Sequence, residues 1–197
     1  NPAGVANEGF WGMALQKGAQ YRLEFHARGA EGFRGPVVVE LQKQDGTVCA
    51  RGTVSGLKAD WKAFKVDLTS TLTEPKARLV LSVTSPGTVW FDMVSLFPKQ
   101  TWKNRGLRSD LMDKLDALKP AFVRFPGGCW VEGDTMKYAY RWKDTVGDLS
   151  QRRTHYNIWQ YDATHGVGFH EYLQMCEDLG AAPLFVVINA TLRPLAK

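Results

Sequence analysis

Cysteine is scarce in this 197-residue chain, which has only Cys49, Cys129 and Cys176. Three thiols so scattered cannot form a disulfide framework, and no Cys-x-x-Cys or His-rich spacing provides a zinc signature. Long apolar runs are missing too. No stretch approaches the ~20 residues that cross a bilayer, so a membrane is not an expected partner. The N-terminal segment lacks a basic stretch followed by an apolar run and a small-residue cleavage site, so no signal peptide is visible. Asn1-Pro2, without an initiator Met, reads like the inside of a longer chain. Charge of one sign does not cluster. The net charge of +5 comes from 25 Lys+Arg against 20 Asp+Glu, with no block of like charge, which argues against a nucleic-acid partner. Nothing calls for a cofactor, and the compartment stays open. With 44% hydrophobic and 23% charged residues, the chain has the composition of an ordinary globular protein.

The hydrophobic pattern changes period near residue 98. Before that point it alternates: Tyr21, Leu23, Phe25 and Ala27 interleave with Arg22, Glu24, His26 and Arg28. One face of each such strand is apolar and the other polar. The pattern recurs at Val37, Val39 and Leu41, at Phe64, Val66 and Leu68, at Leu79, Leu81 and Val83, and at Val89, Phe91 and Met93. Gly35-Pro36, Asp45-Gly46 and Ser85-Pro86-Gly87 supply turns between them. This predicts an antiparallel β-sandwich over residues 1–97. Trp11, Trp61 and Trp90 are candidates for a glycan groove there, although aromatic strand residues usually face a core, and at least two of the three are expected inside.

After Pro98 the period is helical. Leu107, Leu111, Leu115 and Leu118 share one face, and Ala121–Phe125 follows as a short apolar strand stopped by Pro126-Gly127-Gly128. A polar, aromatic-rich stretch from Cys129 to Val167 is too long for a plain connection and predicts a functional loop with local structure. Phe169, Tyr172, Leu173, Cys176 and Leu179 then make a helical face, Gly180 a C-terminal cap, and Leu184–Ile188 a second apolar strand. Helix, strand, loop, helix, strand is α/β grammar, with parallel strands buried on both faces. Residues 98–197 are too few to close a (β/α)8 barrel, which takes ~250, so this half reads as a piece of one.

Three ordered segments, FVRFPGGCWVEG at 122–133, YRWKDTVG at 140–147 and GFHEYLQMCEDLG at 168–180, resemble the α-L-arabinofuranosidases of glycoside hydrolase family 51. The first half, closing on VWFDMVSLF at 89–97, is similar to the carbohydrate-binding-type sandwich found near the start of some of these enzymes. The resemblance implies a multidomain β plus α/β chain. Residues 1–97 would form a galactose-binding-like jelly roll, and 98–197 the early β/α units of a (β/α)8 TIM barrel. It further implies a retaining exo-hydrolase acting on terminal α-L-arabinofuranosyl groups of arabinose-containing oligo- or polysaccharides. Such a reaction needs two carboxyl groups ~5 Å apart. In the family these follow the fourth and seventh barrel strands, so no catalytic residue is expected within this chain. The rival reading is a non-catalytic carbohydrate-binding protein that uses the sandwich.

On the family match, Gly128, Cys129 and Trp142 are the candidate substrate-binding residues. The glycine turn stands at a strand's C-terminal end, where barrel sites are built and where backbone can approach a ligand closely. A simple strand-stopping turn is the bland alternative. Cys129 has no base partner in view and suits a polar wall better than a nucleophile. Arg124, inside a strand, is expected to pair with an acid, and Glu132 alone cannot supply the two carboxyls. Trp130, Tyr138, Tyr140, Trp142 and Trp159 are stacking candidates or loop packing. His155, His165 and His170 fit no zinc spacing, so no metal site is expected, and His170-Glu171 reads as helix capping. Asn189–Thr191 matches a glycosylation sequon but follows a buried-type strand. A barrel piece with unpaired strands is expected to be open to protease or to self-associate.

Overall fold

A computed structural model describes residues 2–188. The sequon at Asn189–Thr191 lies outside the described residues. The chain divides into two compact units, Asn1–Leu107 and Arg108–Lys197, so the division falls after Leu107 and not at 97/98. The extra residues belong with the first unit because Lys99 N–H donates to the Gln20 carbonyl and Trp102 pairs with Leu107 across a tight turn. No helix among the described residues is long and apolar enough to cross a membrane.

The first unit contains β1 (Ala3–Asn7), β2 (Met13–Leu15), β3 (Gln20–Gly29), β4 (Val37–Gln42), β5 (Val48–Val54), β6 (Lys62–Thr69), β7 (Glu74–Val83) and β8 (Val89–Pro98). One sheet runs β1-β7-β4-β5 with β2 also beside β7, the other β6-β3-β8, and every pairing is antiparallel. The two inner faces share one core. Leu23, Phe25 and Ala27 from β3 meet Val37, Val39 and Leu41 from β4, Leu79 and Leu81 from β7, and Leu68 from β6. Each was an apolar position of the alternating pattern, as a sandwich requires.

Alternation fails in β8, as it does in β5, where adjacent Cys49 and Ala50 are both buried. His26 pairs with Asp92 but Glu24 pairs with Ser95, so β8 carries one extra residue opposite Phe25. Such a bulge reverses which side chains face inward. Met93, expected inside, is therefore exposed with φ of 50°, and Leu96 packs on the core in its place.

The tryptophans also depart from expectation: Trp11, Trp61 and Trp90 are all exposed. Strand parity explains two of them. Arg28 is an outward position of β3, Trp90 pairs directly with it, and Trp61 immediately precedes Lys62, the partner of Ala27. Both indoles consequently flank the Arg28 guanidinium, at 5.3 Å for Trp61 and 4.5 Å for Trp90, as a cation–π ladder on the outer face.

The second unit contains α1 (Ser109–Ala117), β9 (Phe122–Phe125), α2 (Gly128–Glu132), β10 (His155–Tyr156), β11 (Asp162–Ala163), α3 (Phe169–Leu179) and β12 (Ala182–Phe185). β9 and β12 pair in parallel, from Phe122 opposite Ala182 to Phe125 opposite Phe185. Helix α3 covers one face of this pair. Its Tyr172 is fully buried, stacks on Phe125 at 5.0 Å and donates its hydroxyl proton to the Val123 carbonyl at 2.7 Å. Burial pushes that phenol up to about 12. The expectation of strands buried on both faces does not hold among the described residues, since Phe122, Arg124 and Leu184 are exposed. In α1 the leucine face is likewise uncovered: Leu111 and Leu118 are exposed and Met112 is the buried residue. Leu173 of α3 is exposed too, whereas Tyr172, Cys176 and Leu179 are inside and Gly180 caps the helix at φ of 67°.

Phe25, stacked on Phe64 at 5.7 Å, sits at the centre of the sandwich core. Phe25→Ala is expected to cost about 3–5 kcal/mol in chemical denaturation, as buried Phe→Ala changes do. Met93→Gly should cost nothing or stabilise, because its left-handed backbone suits glycine. A large loss from Met93→Gly would contradict the bulge.

Candidate functional site

The C-terminal ends of β9 and β12 and the segment between α2 and α3 make the most structured recess of the second unit. After β9 the chain turns through a cis Phe125-Pro126 bond into Gly127, whose φ of 116° only glycine adopts easily. Gly128 opens α2, Cys129 is exposed on its first turn, and Trp130 turns back toward the loop. Arg124 forms no ion pair among the described residues, contrary to expectation. Its guanidinium instead lies beside the glycine turn, within 3.6 Å of where a Cβ on Gly127 would be and 3.8 Å for Gly128.

The aromatic segment has local structure. Trp142–Thr145 forms a short 3-10 turn, and β10 and β11 make a small antiparallel hairpin. Buried Asn157 shapes the hairpin: its amide donates to the Tyr161 carbonyl at 2.8 Å and its side-chain oxygen accepts from Trp159 N–H at 2.8 Å. Trp159 thereby stacks on Trp130 at 5.8 Å. His155 meets the other edge of Trp130 at 5.3 Å and lies stacked on His165 at 5.6 Å. Among the described residues no group of three or more His, Cys, Asp or Glu could hold a metal ion.

Helix α3 holds this segment. Thr145 is fully buried; its hydroxyl donates to the Trp142 carbonyl at 2.7 Å and accepts from Phe169 N–H at 3.0 Å. A Cβ on Gly168 would collide with the Thr145 carbonyl, so glycine is required where the helix starts. Glu171 reaches back to Gly168 N–H at 2.9 Å, half of a capping box. The same carboxylate takes two bonds from Arg152, at 2.7 and 3.0 Å, and Arg152 also donates to the carbonyls of Gly147 and His165. Arg152 is only 3% exposed at its side chain. Burial by itself would raise the Glu171 carboxyl, but the Arg152 and Gly168 bonds outweigh it and hold the group below its ordinary value. Burial, and then the nearness of His155, pushes the His165 imidazole down.

Two clefts open at this end. One, of about 310 Å³, is lined by Phe125, Pro126, Trp130, Tyr140 and the 163–167 segment. The other, of about 390 Å³, is lined by residues 140–144 and 185–188, Trp142 among them. Tyr140 belongs to both.

Three comparisons bear on this geometry. The family described as "Alpha-L-arabinofuranosidase 1 domain" matches residues 114–194. Alpha-L-arabinofuranosidase 1 of Arabidopsis thaliana is 37% identical over 189 residues, 94% of this chain and 28% of that protein. The extracellular exo-alpha-L-arabinofuranosidase of Streptomyces chartreusis is 37% identical over 93% of this chain and 23% of that one. The solved structure of arabinose-bound MgGH51 α-L-arabinofuranosidase superposes with a TM-score of 0.90 at 33% identity, covering 98% of this chain and 32% of that chain. Over nearly its whole length the chain matches one segment of the α-L-arabinofuranosidases of glycoside hydrolase family 51. It spans under a third of the length of each of these relatives.

Within this family 51 segment the three sequence candidates fall in two places. Trp142 lines the second cleft, 40% exposed, with its ring 5.1 Å from Phe169. Gly128 and Cys129 line neither cleft directly; they lie between Pro126 and Trp130, which line the first. Trp130, Tyr140 and Trp142 are thus cleft residues, Tyr138 packs against Tyr156, and Glu132 is exposed. Arg152 was not singled out from sequence. Its only signal is indirect, a glutamate at the third position of a helix that begins on glycine.

Removing the arginine should leave the Glu171 charge without its partner. Arg152→Met is expected to destabilise the second unit by about 3 kcal/mol, and Arg152→Met/Glu171→Leu by much less, since the penalty lies in the orphaned charge. Acid should act in two stages. His165, held neutral, loses stability as pH falls below its ordinary 6.5, and Glu171, held ionised, as pH falls below 4.5 toward its lower folded value. Hydrogen exchange of residues 108–188 from pH 7 to 3 reads both, and His165→Gln should flatten the first stage only.

Proposed function

We propose that this chain is part of a retaining exo-α-L-arabinofuranosidase that removes terminal arabinofuranosyl groups from arabinose-containing oligo- and polysaccharides. The observation that carries the reading is sequence identity of 33–37% to α-L-arabinofuranosidases over 93–98% of this chain, one of them bound to arabinose. In this reading the first unit, through Leu107, forms a carbohydrate-binding-like jelly roll, and the second, from Arg108, the first β/α units of a (β/α)8 barrel. The parallel β9–β12 pair with α3 packed on it supports the barrel assignment, because a crossover helix between parallel strands is the unit from which barrels are built.

The two carboxyl groups of the reaction, one nucleophile and one acid/base ~5 Å apart, lie outside these residues. What this chain contributes is one wall of the sugar pocket. Gly128 and Cys129 offer backbone and a small polar side chain at the end of β9, and Trp142 offers an indole face for the C–H side of a sugar. Cys129 serves as a contact and not as a nucleophile, for no base bonds its exposed thiol among the described residues.

The 197-residue chain is therefore expected to release no leaving group from an aryl α-L-arabinofuranoside, while a longer chain carrying the remaining barrel strands does. Turnover by the 197-residue chain that vanishes on Glu132→Gln would overturn this assignment. In the longer chain, Trp142→Ala should lower kcat/KM on oligosaccharides without comparable loss of folding, and an unchanged value would remove Trp142 from the site.

The barrel reading has a physical consequence. Phe122, Leu184 and Val187 are exposed on the strand pair or just beyond it, and the pair has no further strand among the described residues. We expect limited proteolysis to cut the second unit before the sandwich, or size-exclusion chromatography to reveal self-association through it. A monomer whose two units resist protease equally would argue against a partial barrel.

A further inference from the structure

A third recess, of about 380 Å³, adjoins the two clefts, sharing Arg141 and Asp144 with the Trp142 cleft and His165 with the Pro126 cleft. Three basic side chains, Lys137, Arg141 and Arg153, face it alongside Asp144 and Asp162. Arg141 and Arg153 form no ion pair among the described residues, in contrast to the adjacent Arg152, whose guanidinium is wholly engaged in holding α3. These two arginines are spare with respect to the fold. His155, also in the lining, is 8% exposed, and both its ring nitrogens are buried without a hydrogen-bond partner. Native structures rarely leave buried polar groups unpaired, and such groups often mark a place that a ligand completes. Aromatic surface is present as well, in the Tyr138 and Tyr156 rings, 5.8 Å apart.

We propose that this recess binds the carboxylate-bearing ring of a uronic acid, carried on the same polysaccharide whose arabinofuranosyl group occupies the adjoining clefts. The inference rests on the arabinofuranosidase reading and narrows its substrate class to acidic, uronate-containing polymers. The charged and aromatic parts of the lining have counterparts in that ligand. A guanidinium matches a carboxylate with two parallel hydrogen bonds, and two unpaired arginines with Lys137 supply the charge. The tyrosine rings suit the C–H face of a pyranose. Asp144 and Asp162 decide between a sugar acid and a simple anion: they accept from sugar hydroxyls but would repel a multiply charged phosphate. The recess is also of the size that small-molecule sites commonly have.

The test is calorimetric or NMR titration of the 197-residue chain at low ionic strength with sodium D-glucuronate, methyl glucoside and inorganic phosphate. Glucuronate should bind at least about tenfold more tightly than methyl glucoside and more tightly than phosphate, and Arg141→Ala and Arg153→Ala should each weaken it about tenfold. Arg153→Lys should restore part of the loss. Circular dichroism checks folding, and if Arg141→Ala unfolds the second unit, Arg153→Ala and Lys137→Ala, both changes at exposed positions, carry the test. Equal binding of glucuronate and methyl glucoside, phosphate binding as tight as glucuronate, or indifference to the arginine variants would each overturn the proposal. The readout involves no hydrolysis, so the two readings fail separately. A longer chain that releases arabinose while the recess ignores glucuronate removes only the uronate site. A chain that binds glucuronate but whose longer form releases no arabinose removes the enzymatic reading.

Discussion

The buried Arg152–Glu171 pair is the constraint from which the geometry of the second unit follows. The aromatic segment between Gly133 and Gly168 cannot order itself by periodicity, because it has neither a strand nor a helix long enough to propagate. It is ordered by being tied at several points to the start of α3. Arg152 spans the Gly147 and His165 carbonyls while gripping Glu171, and Thr145 bonds the first helical N–H group. The helix gains satisfied N-terminal donors and the loop gains a fixed path.

From that anchor a chain of ring contacts runs back to the strands. Trp142 lies against Phe169, Phe169 against Phe185 at 4.6 Å, Phe185 against Tyr172, and Tyr172 against Phe125 at 5.0 Å. Tyr172 also bonds the backbone of β9. A displacement of Trp142 would therefore have to disturb the strand pair that sets the glycine turn. Sugar-binding walls need this property, since a stacking ring that wanders gives little orientation to a ligand with many similar hydroxyls. The sandwich unit shows the opposite economy: its order comes from one continuous apolar core, and its outer face is free to carry exposed indoles around Arg28.

Legibility of the sequence followed the strength of local rules. The strand alternation at 21–27, 37–41 and 79–81 was readable because inward and outward positions obey simple parity, and the α3 helix with its Gly180 cap was readable for the equivalent reason. Met93 was misplaced because a bulge inserts a residue without any compositional mark. The expectation that at least two of Trp11, Trp61 and Trp90 lie inside failed because tryptophan's usual burial was weighed above strand parity, which put Trp61 and Trp90 beside outward Arg28. The leucines at 107, 111, 115 and 118 formed a proper amphipathic stripe, yet an apolar stripe states only that something can cover it, and Leu111 and Leu118 stay exposed. The candidacy of Gly128, Cys129 and Trp142 rested on family resemblance alone, since no spacing rule distinguishes a sugar-binding turn from a strand stop. Arg152 was invisible for a deeper reason. Its partners at 147, 165 and 171 are joined by tertiary geometry alone.

That distinction bears on how the basic recess is to be understood. Arg152 and Arg153 are neighbours in sequence with identical chemistry, and the fold uses them in contrary ways: one is shut inside and saturated with acceptors, the other faces a cavity with none. A chain selected only for a stable loop would gain nothing from keeping Arg141 and Arg153 unpaired around a histidine whose ring nitrogens are also unpaired. Exposed guanidinium groups are well solvated, so their presence costs little stability, and their convergence on one recess is what the proposed uronate site rests on. The anchor fixes where Arg153 can point, because its backbone follows directly from Arg152. The residue that orders the loop thereby sets the backbone from which Arg153 reaches the recess.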